Sequence, residues 1–98
     1  MRKQLLKLKH GHSTKAERRF VELLKELRIP FKAKVMIQGR EIDFLIGKYA
    51  IEVDGHRQDV EKNKMLMSEG YNPIHFNNWE IKNAKYLKEW LKNIWQQD

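Results

Sequence analysis

Between Arg40 and Gly55 the chain reads Arg-Glu-Ile-Asp-Phe-Leu-Ile-Gly-Lys-Tyr-Ala-Ile-Glu-Val-Asp-Gly, and few folds can accommodate such a run. Apolar and acidic residues alternate on both sides of Gly47-Lys48, the period-two pattern of two strands joined by a two-residue turn. Counting outward from that turn sets Ile46 against Tyr49, Phe44 against Ile51, Asp43 against Glu52, Ile42 against Val53 and Glu41 against Asp54. One face then carries the large apolar pairs. The other gathers Glu41, Asp43, Glu52 and Asp54 beside Leu45 and Ala50. Like charges directly opposite one another, about 5 Å apart, destabilise a sheet. Three things can offset the repulsion: protons held at raised pKa, lysines or arginines reaching in, or a divalent cation. Oxygen-only ligands suit Mg²⁺, Mn²⁺ or Ca²⁺ better than zinc. Glu41 also fits a solvated edge position, whereas Asp43 and Glu52 form the centre of the cluster.

The remaining composition narrows the setting. At 98 residues the chain can bury one core but not two. It has no cysteine, which excludes disulfide staples and thiolate metal sites. No apolar run approaches a membrane span and no secretory signal opens the sequence, so a soluble cytoplasmic protein is expected. The net charge of +7 is unevenly spread: residues 1–28 hold nine Lys or Arg against three Glu, and residues 29–98 hold eleven against ten acids. A basic beginning joined to a balanced, locally acidic remainder suits a polyanion gripped by one part and acted on by another.

Residues 1–12 read as a basic arm containing Leu5, Leu6 and Leu8, with His10 and His12 near its end; residues 13–98 read as one domain. Ser13 or Thr14 caps a helix running to about Arg28, with an apolar stripe of Ala16, Phe20, Val21, Leu23, Leu24 and Leu27, stopped by Pro30. Glu17 interrupts that stripe and points toward the sheet, although its spacing from Thr14 also fits a capping box. Phe31 to Gln38 reads as a strand turning at Gly39-Arg40 into the acidic hairpin. Asp59 opens a second helix as a candidate N-cap, with Val60, Lys64, Leu66 and Met67 facing inward and Gly70 ending it. Ile74-His75-Phe76 is a short strand that a right-handed crossover sets parallel to the one bearing Glu52. A last helix spans about Asn83 to Trp95, placing Trp90 and Trp95 in the core and leaving Trp79 in a polar loop. The expected fold is α/β, a small mixed sheet of a three-stranded antiparallel meander plus one parallel strand, flanked by helices.

Taken in order, Glu17 on a helix, Ile42-Asp43-Phe44 in a hairpin, Ile51-Glu52-Val53-Asp54-Gly55 followed by His56, then Asp59, Lys62 and Leu66 at helical spacing and Gly70-Tyr71 before Ile74 to Phe76 form an ordered set. It resembles the very-short-patch-repair-like branch of the PD-(D/E)xK nucleases, with its bacterial relatives and phage homing-endonuclease catalytic domains, from about Ser13 to Ile81. That resemblance implies a restriction-endonuclease-like core and hydrolysis of DNA phosphodiesters assisted by Mg²⁺ or Mn²⁺. It makes Asp43 the central metal ligand, joined by the Val53 carbonyl and Glu52, with Glu17 reaching in from its helix. His56 becomes the general base or a stabiliser of phosphate charge. Asp54 stands where the superfamily has its lysine, which passes that role to His56, to Lys62 or to a second metal held partly by Asp54. Asp59 completes the catalytic set, and His75 is a rival to His56 that otherwise reads as solvated.

The resemblance also implies DNA as partner, held by basic residues such as Lys15, Arg18, Arg19 and Arg57, in a bacterial or phage-encoded protein working at the nucleoid. So small a domain has little surface for reading a long sequence, which points to a homodimer or an additional domain. The competing expectation is a basic nucleic-acid-binding module whose acids are paired with lysines and cleave nothing. An RNA-directed nuclease would share the chemistry of the first reading.

Overall fold

The computed structural model describes residues 14–53 and 59–96. The basic arm, Ser13, and the Asp54, Gly55, His56 and Arg57 of the acidic run lie outside the described residues.

Helix α1 (Lys15–Glu26) starts at Thr14, whose hydroxyl accepts from the Glu17 amide at 3.1 Å while Glu17 Oε1 accepts from the Thr14 amide at 3.3 Å. The capping box is therefore closed. Its stripe is as expected: Ala16, Phe20, Leu23 and Leu24 are buried, and Val21 and Leu27 pack beside them. The helix ends in a reciprocal pair of backbone bonds, Arg28 to the Lys25 carbonyl and Ile29 to the Leu24 carbonyl, with Arg28 in the left-handed region at φ 57°. Such a terminator usually carries glycine at that point.

Strand β1 (Lys32–Ile37) pairs antiparallel with β2 (Arg40–Ile46), and Ile37 faces Arg40. The turn is thus Gln38-Gly39 rather than Gly39-Arg40. Both turn residues have positive φ, 51° and 76°, which matches the right-handed twist of the strands it joins. Strand β3 (Tyr49–Val53) follows with the register obtained by counting: Ile46 against Tyr49, Leu45 against Ala50 and Phe44 against Ile51. Helix α2 (Val60–Ser68) leads to β4 (Asn72–Phe76), which lies parallel to β3 with Glu52 beside His75, and the sheet order is β1-β2-β3-β4. Helices α3 (Asn78–Lys82) and α4 (Ala84–Gln96) complete the chain.

Helices cover both faces of the sheet. On one, Phe44, Ile46, Ile51, Val53 and Phe76 pack against α1 and against Leu87, Leu91 and Ile94 of α4. Phe20 sits at the centre, its ring 5.0 Å from Phe44 and 5.9 Å from Phe76. Burying a side chain of that size contributes on the order of 2–3 kcal/mol. On the other face Ala50 and Ile42 meet Leu66 of α2, with Leu45, Ile37, Met65 and Tyr71 around them.

Several expectations are corrected here. Ile42 does not share a face with Phe44, because the strand loses its alternation at Asp43, where the β2–β3 ladder stops and Lys34 opposite has φ 54°. In α2, Val60 and Met67 are 60% and 58% exposed and Lys64 is exposed too, so Leu66 alone is fully buried. The last helix, Ala84–Gln96, runs as expected, but Trp79 does not lie in a loop: it sits in a separate short helix, Asn78–Lys82, capped by Asn77, and is 66% exposed. Trp90 is core, edge-on to Phe76 at 4.9 Å, but Trp95 is 38% exposed.

Candidate active site

Where β2 and β3 part at Asp43, a group of charged side chains assembles. Asp43 Oδ2 accepts a hydrogen bond from the Val53 amide at 2.9 Å, so a carboxylate takes the place of a backbone carbonyl in closing the sheet. Its other oxygen, Oδ1, lies 4.0 Å from Lys34 Nζ. The same ammonium reaches both oxygens of Glu17 at 3.4 Å. Glu17 is the buried polar residue of the described chain, at 8% exposure, and its Oε1 serves the cap of α1 as well as Lys34. Lys34 holds this place in a conformation that costs a non-glycine residue about 1–2 kcal/mol, and strain of this kind collects at functional sites.

Glu52 adjoins Asp43 on the β3 side. Burial pushes its pKa above the ordinary 4.5, the neighbouring Asp43 charge adds to the rise, and the Lys62 ammonium opposes it. Lys62 Nζ stands 2.8 Å from Glu52 Oε2, yet that buried oxygen accepts no aligned hydrogen bond. The contact is close, and its angle leaves that oxygen without a well-aligned donor. Asp59 is engaged in two ways. Its Oδ1 accepts from the Lys62 amide at 3.0 Å, capping α2, and its Oδ2 meets Arg40 at 3.1 Å. The amide bond chiefly, with Arg40 assisting, draws its pKa below the usual carboxylate range.

The expected residues are therefore distributed as follows. Glu17 and Asp43 share Lys34, Glu52 adjoins Asp43 and pairs with Lys62, and the Val53 amide joins through Asp43. Asp59 stands at the edge of this group, tied to Lys62 by the cap. Glu41 is exposed, paired with Met36 in the ladder, and fits its edge reading. Asp54, His56 and Arg57 fall outside the described residues. Lys15, Arg18 and Arg19 lie on the exposed side of α1, where Lys15 and Arg19 line a cleft of about 310 Å³ with Asn78 and Lys82. Sequence reasoning missed Lys34. The signal was present, because counting back across the Gln38-Gly39 turn sets Lys34 opposite Asp43. His75 takes the β4 position beside Glu52 and is half-buried.

Among the described residues, no group of three or more His, Asp or Glu stands together as a metal-binding cluster. The oxygens that do meet still fit a hard divalent cation: two adjoining carboxylates, one with a buried oxygen lacking an aligned donor. Also among the described residues, no helix is long and apolar enough to cross a membrane.

A four-stranded mixed sheet, three strands antiparallel and one parallel, with helices on both faces, is a nuclease-like core. No protein-family model matches the chain, and no curated protein does. Among solved structures it is similar to the catalytic domain of the homing endonuclease I-Bth0305I, with 28% sequence identity, a TM-score of 0.72, and coverage of 87% of this chain and 97% of that one. The likeness supports a nuclease fold.

Proposed function

We propose that this chain is a metal-dependent DNA endonuclease catalytic domain of the PD-(D/E)xK type, in the very-short-patch-repair-like branch, serving a repair or homing-type nuclease. The observation that carries the reading is the meeting of Asp43 and Glu52 at a break in the sheet, with a Glu52 oxygen left without an aligned donor. The endonuclease catalytic domain to which the chain is similar supports the same reading.

Asp43 and Glu52, with the Val53 carbonyl, would hold Mg²⁺ or Mn²⁺. Bound there, such a cation neutralises phosphate oxygens and lowers the pKa of a coordinated water. Asp43 is oriented for this by the Val53 amide, which fixes one of its oxygens and leaves the other turned toward Lys34. Glu17 adds negative charge from α1. Lys62, beside Glu52, takes the place of the superfamily lysine. His56 would accept the proton of the attacking water or steady the phosphate, Asp54 would partly hold any second metal, and Asp59 holds the start of α2. DNA is gripped by Lys15, Arg18, Arg19 and Arg57, and the protein works at the nucleoid of a bacterial cell, with a second copy or another domain contributing specificity.

One observation favours a second reading. Lys34 and Lys62 already pair with all three carboxylates, as lysines would in a basic binding module that cleaves nothing. Incubation with supercoiled plasmid separates the two. Under the first reading Mg²⁺ or Mn²⁺ produces nicked or linear DNA, and cutting disappears with chelator and in a folded Asp43→Asn protein. Intact plasmid at every metal concentration, alongside salt-sensitive DNA binding, would establish the second instead.

A further inference from the structure

The part of β1 nearest the carboxylates is distorted around one side chain. Ala33 faces Phe44 and Val35 faces Ile42, but between them Lys34 turns into the left-handed region at φ 54°. Neither glycine nor asparagine occupies the position, although those residues adopt this conformation most readily. What the backbone gains there is the placement of an ammonium 3.4 Å from both oxygens of Glu17 and 4.0 Å from Asp43 Oδ1. Its side chain is 39% exposed, so the cation stands at the mouth of the group, while those of Glu17 and Asp43 are 11% and 18% exposed.

We propose that Lys34 is a resident counter-ion which a divalent cation must displace from Glu17 and Asp43, so that the site admits metal fully only when an anion takes over the lysine. The proposal rests on the metal-dependent reading above. An ammonium and a doubly charged ion drawing on the same two carboxylates at these distances repel one another, and the lysine, which carries half the charge, is the one to give way. The lysine carries its charge on a flexible four-carbon stem and can leave without unfolding the strand. A DNA phosphate arriving at the mouth is a suitable acceptor for it. Metal and DNA would then bind cooperatively, through one movable charge. Lys62 exerts no such gating on the Glu17 side, since it pairs with Glu52.

Calorimetric titration with Mn²⁺ alone tests this on the whole chain. Lys34→Met is expected to bind Mn²⁺ about fivefold to tenfold more tightly than wild type, and Lys34→Arg about as wild type does. A phosphorothioate duplex that resists cleavage should tighten Mn²⁺ binding to wild type and leave Lys34→Met unchanged. Lysine side-chain NMR of the unmodified protein is a second readout, in which the Lys34 signal moves during a Mg²⁺ titration. Equal Mn²⁺ affinity in wild type and Lys34→Met, or a stationary Lys34 signal in a protein that binds Mg²⁺, would overturn the proposal while leaving metal-dependent cleavage intact. Absence of metal binding in every protein would overturn both this inference and the function it rests on.

Discussion

Asp43 has a structural task as well as a chemical one, and the two can be separated by the choice of substitution. Its Oδ2 is the acceptor for the Val53 amide. Asp43→Ala leaves that amide without its partner, and a half-buried orphan of this kind costs about 1–3 kcal/mol. Asp43→Asn keeps a carbonyl oxygen in reach of the same donor and should cost well under half as much. Urea unfolding of the two proteins checks the difference; an equal loss in both would mean that the charge, not the hydrogen bond, holds β2 to β3. Glu52 behaves differently because its surroundings disfavour its charge. Its folded pKa lies above the ordinary 4.5, so the native state keeps the proton to higher pH than the unfolded chain does. Stability in the presence of chelator therefore falls as pH rises from 4.5 through the folded pKa, and stays lower above it. Glu52→Gln lacks the titration. Its melting temperature should exceed that of wild type at neutral pH, and the gap should close as pH falls below 4.5, where the carboxyl is protonated in the folded and unfolded chain alike. A gap that is constant with pH would count against the raised pKa.

At the level of elements, what was legible in the sequence is what periodicity and turns encode. The stripe of α1 predicts its buried face, and Gly47-Lys48 fixes the β2–β3 register as far as Phe44 and Ile51. Counting fails beyond that pair because it assumes an unbroken ladder. Asp43 substitutes a side-chain oxygen for a backbone one, Lys34 leaves the strand conformation, and Ile42 is carried to the opposite core. No alternation rule contains that exchange. Helix α2 misleads for a related reason: nine residues meet the sheet mainly through Leu66 and Met65, too narrow a stripe for a clear helical period. The two terminators show how sequence and geometry can disagree at one residue. Gly70 ends α2 at φ 92° with its amide bonded to Met67 and that of Tyr71 to Leu66, while α1 ends in the same arrangement with Arg28 at φ 57°. Exchanging Arg28 for glycine should remove a steric penalty and stabilise the fold by about 0.5–1 kcal/mol, after the greater freedom of glycine in the unfolded chain is counted. The melting temperature reports the outcome, and a fall would show that the arginine has a partner worth more than the strain.

Across the whole molecule, the arrangement that makes a site possible is a sheet buried on both faces whose charged residues sit at a seam between two cores. Phe20, Phe44 and Phe76 fill one side and Leu66, Ile42 and Ala50 the other, so the break at Asp43 is braced from above and below. The parallel return of β4 was foreseeable from the strand-helix-strand order, and it brings His75 beside Glu52. Half of the site was readable in the same way, since opposed acids need an offset wherever they occur. The identity of that offset was missed, because a turn placed at Gly39-Arg40 sets Met36 rather than Lys34 opposite Asp43. Glu17 also gives the arrangement an unexpected property. One of its oxygens answers at once to the amide that begins α1 and to the lysine of β1. Helix initiation and site occupancy thereby draw on one acceptor, and a guest that pulls that oxygen inward should loosen the first turn.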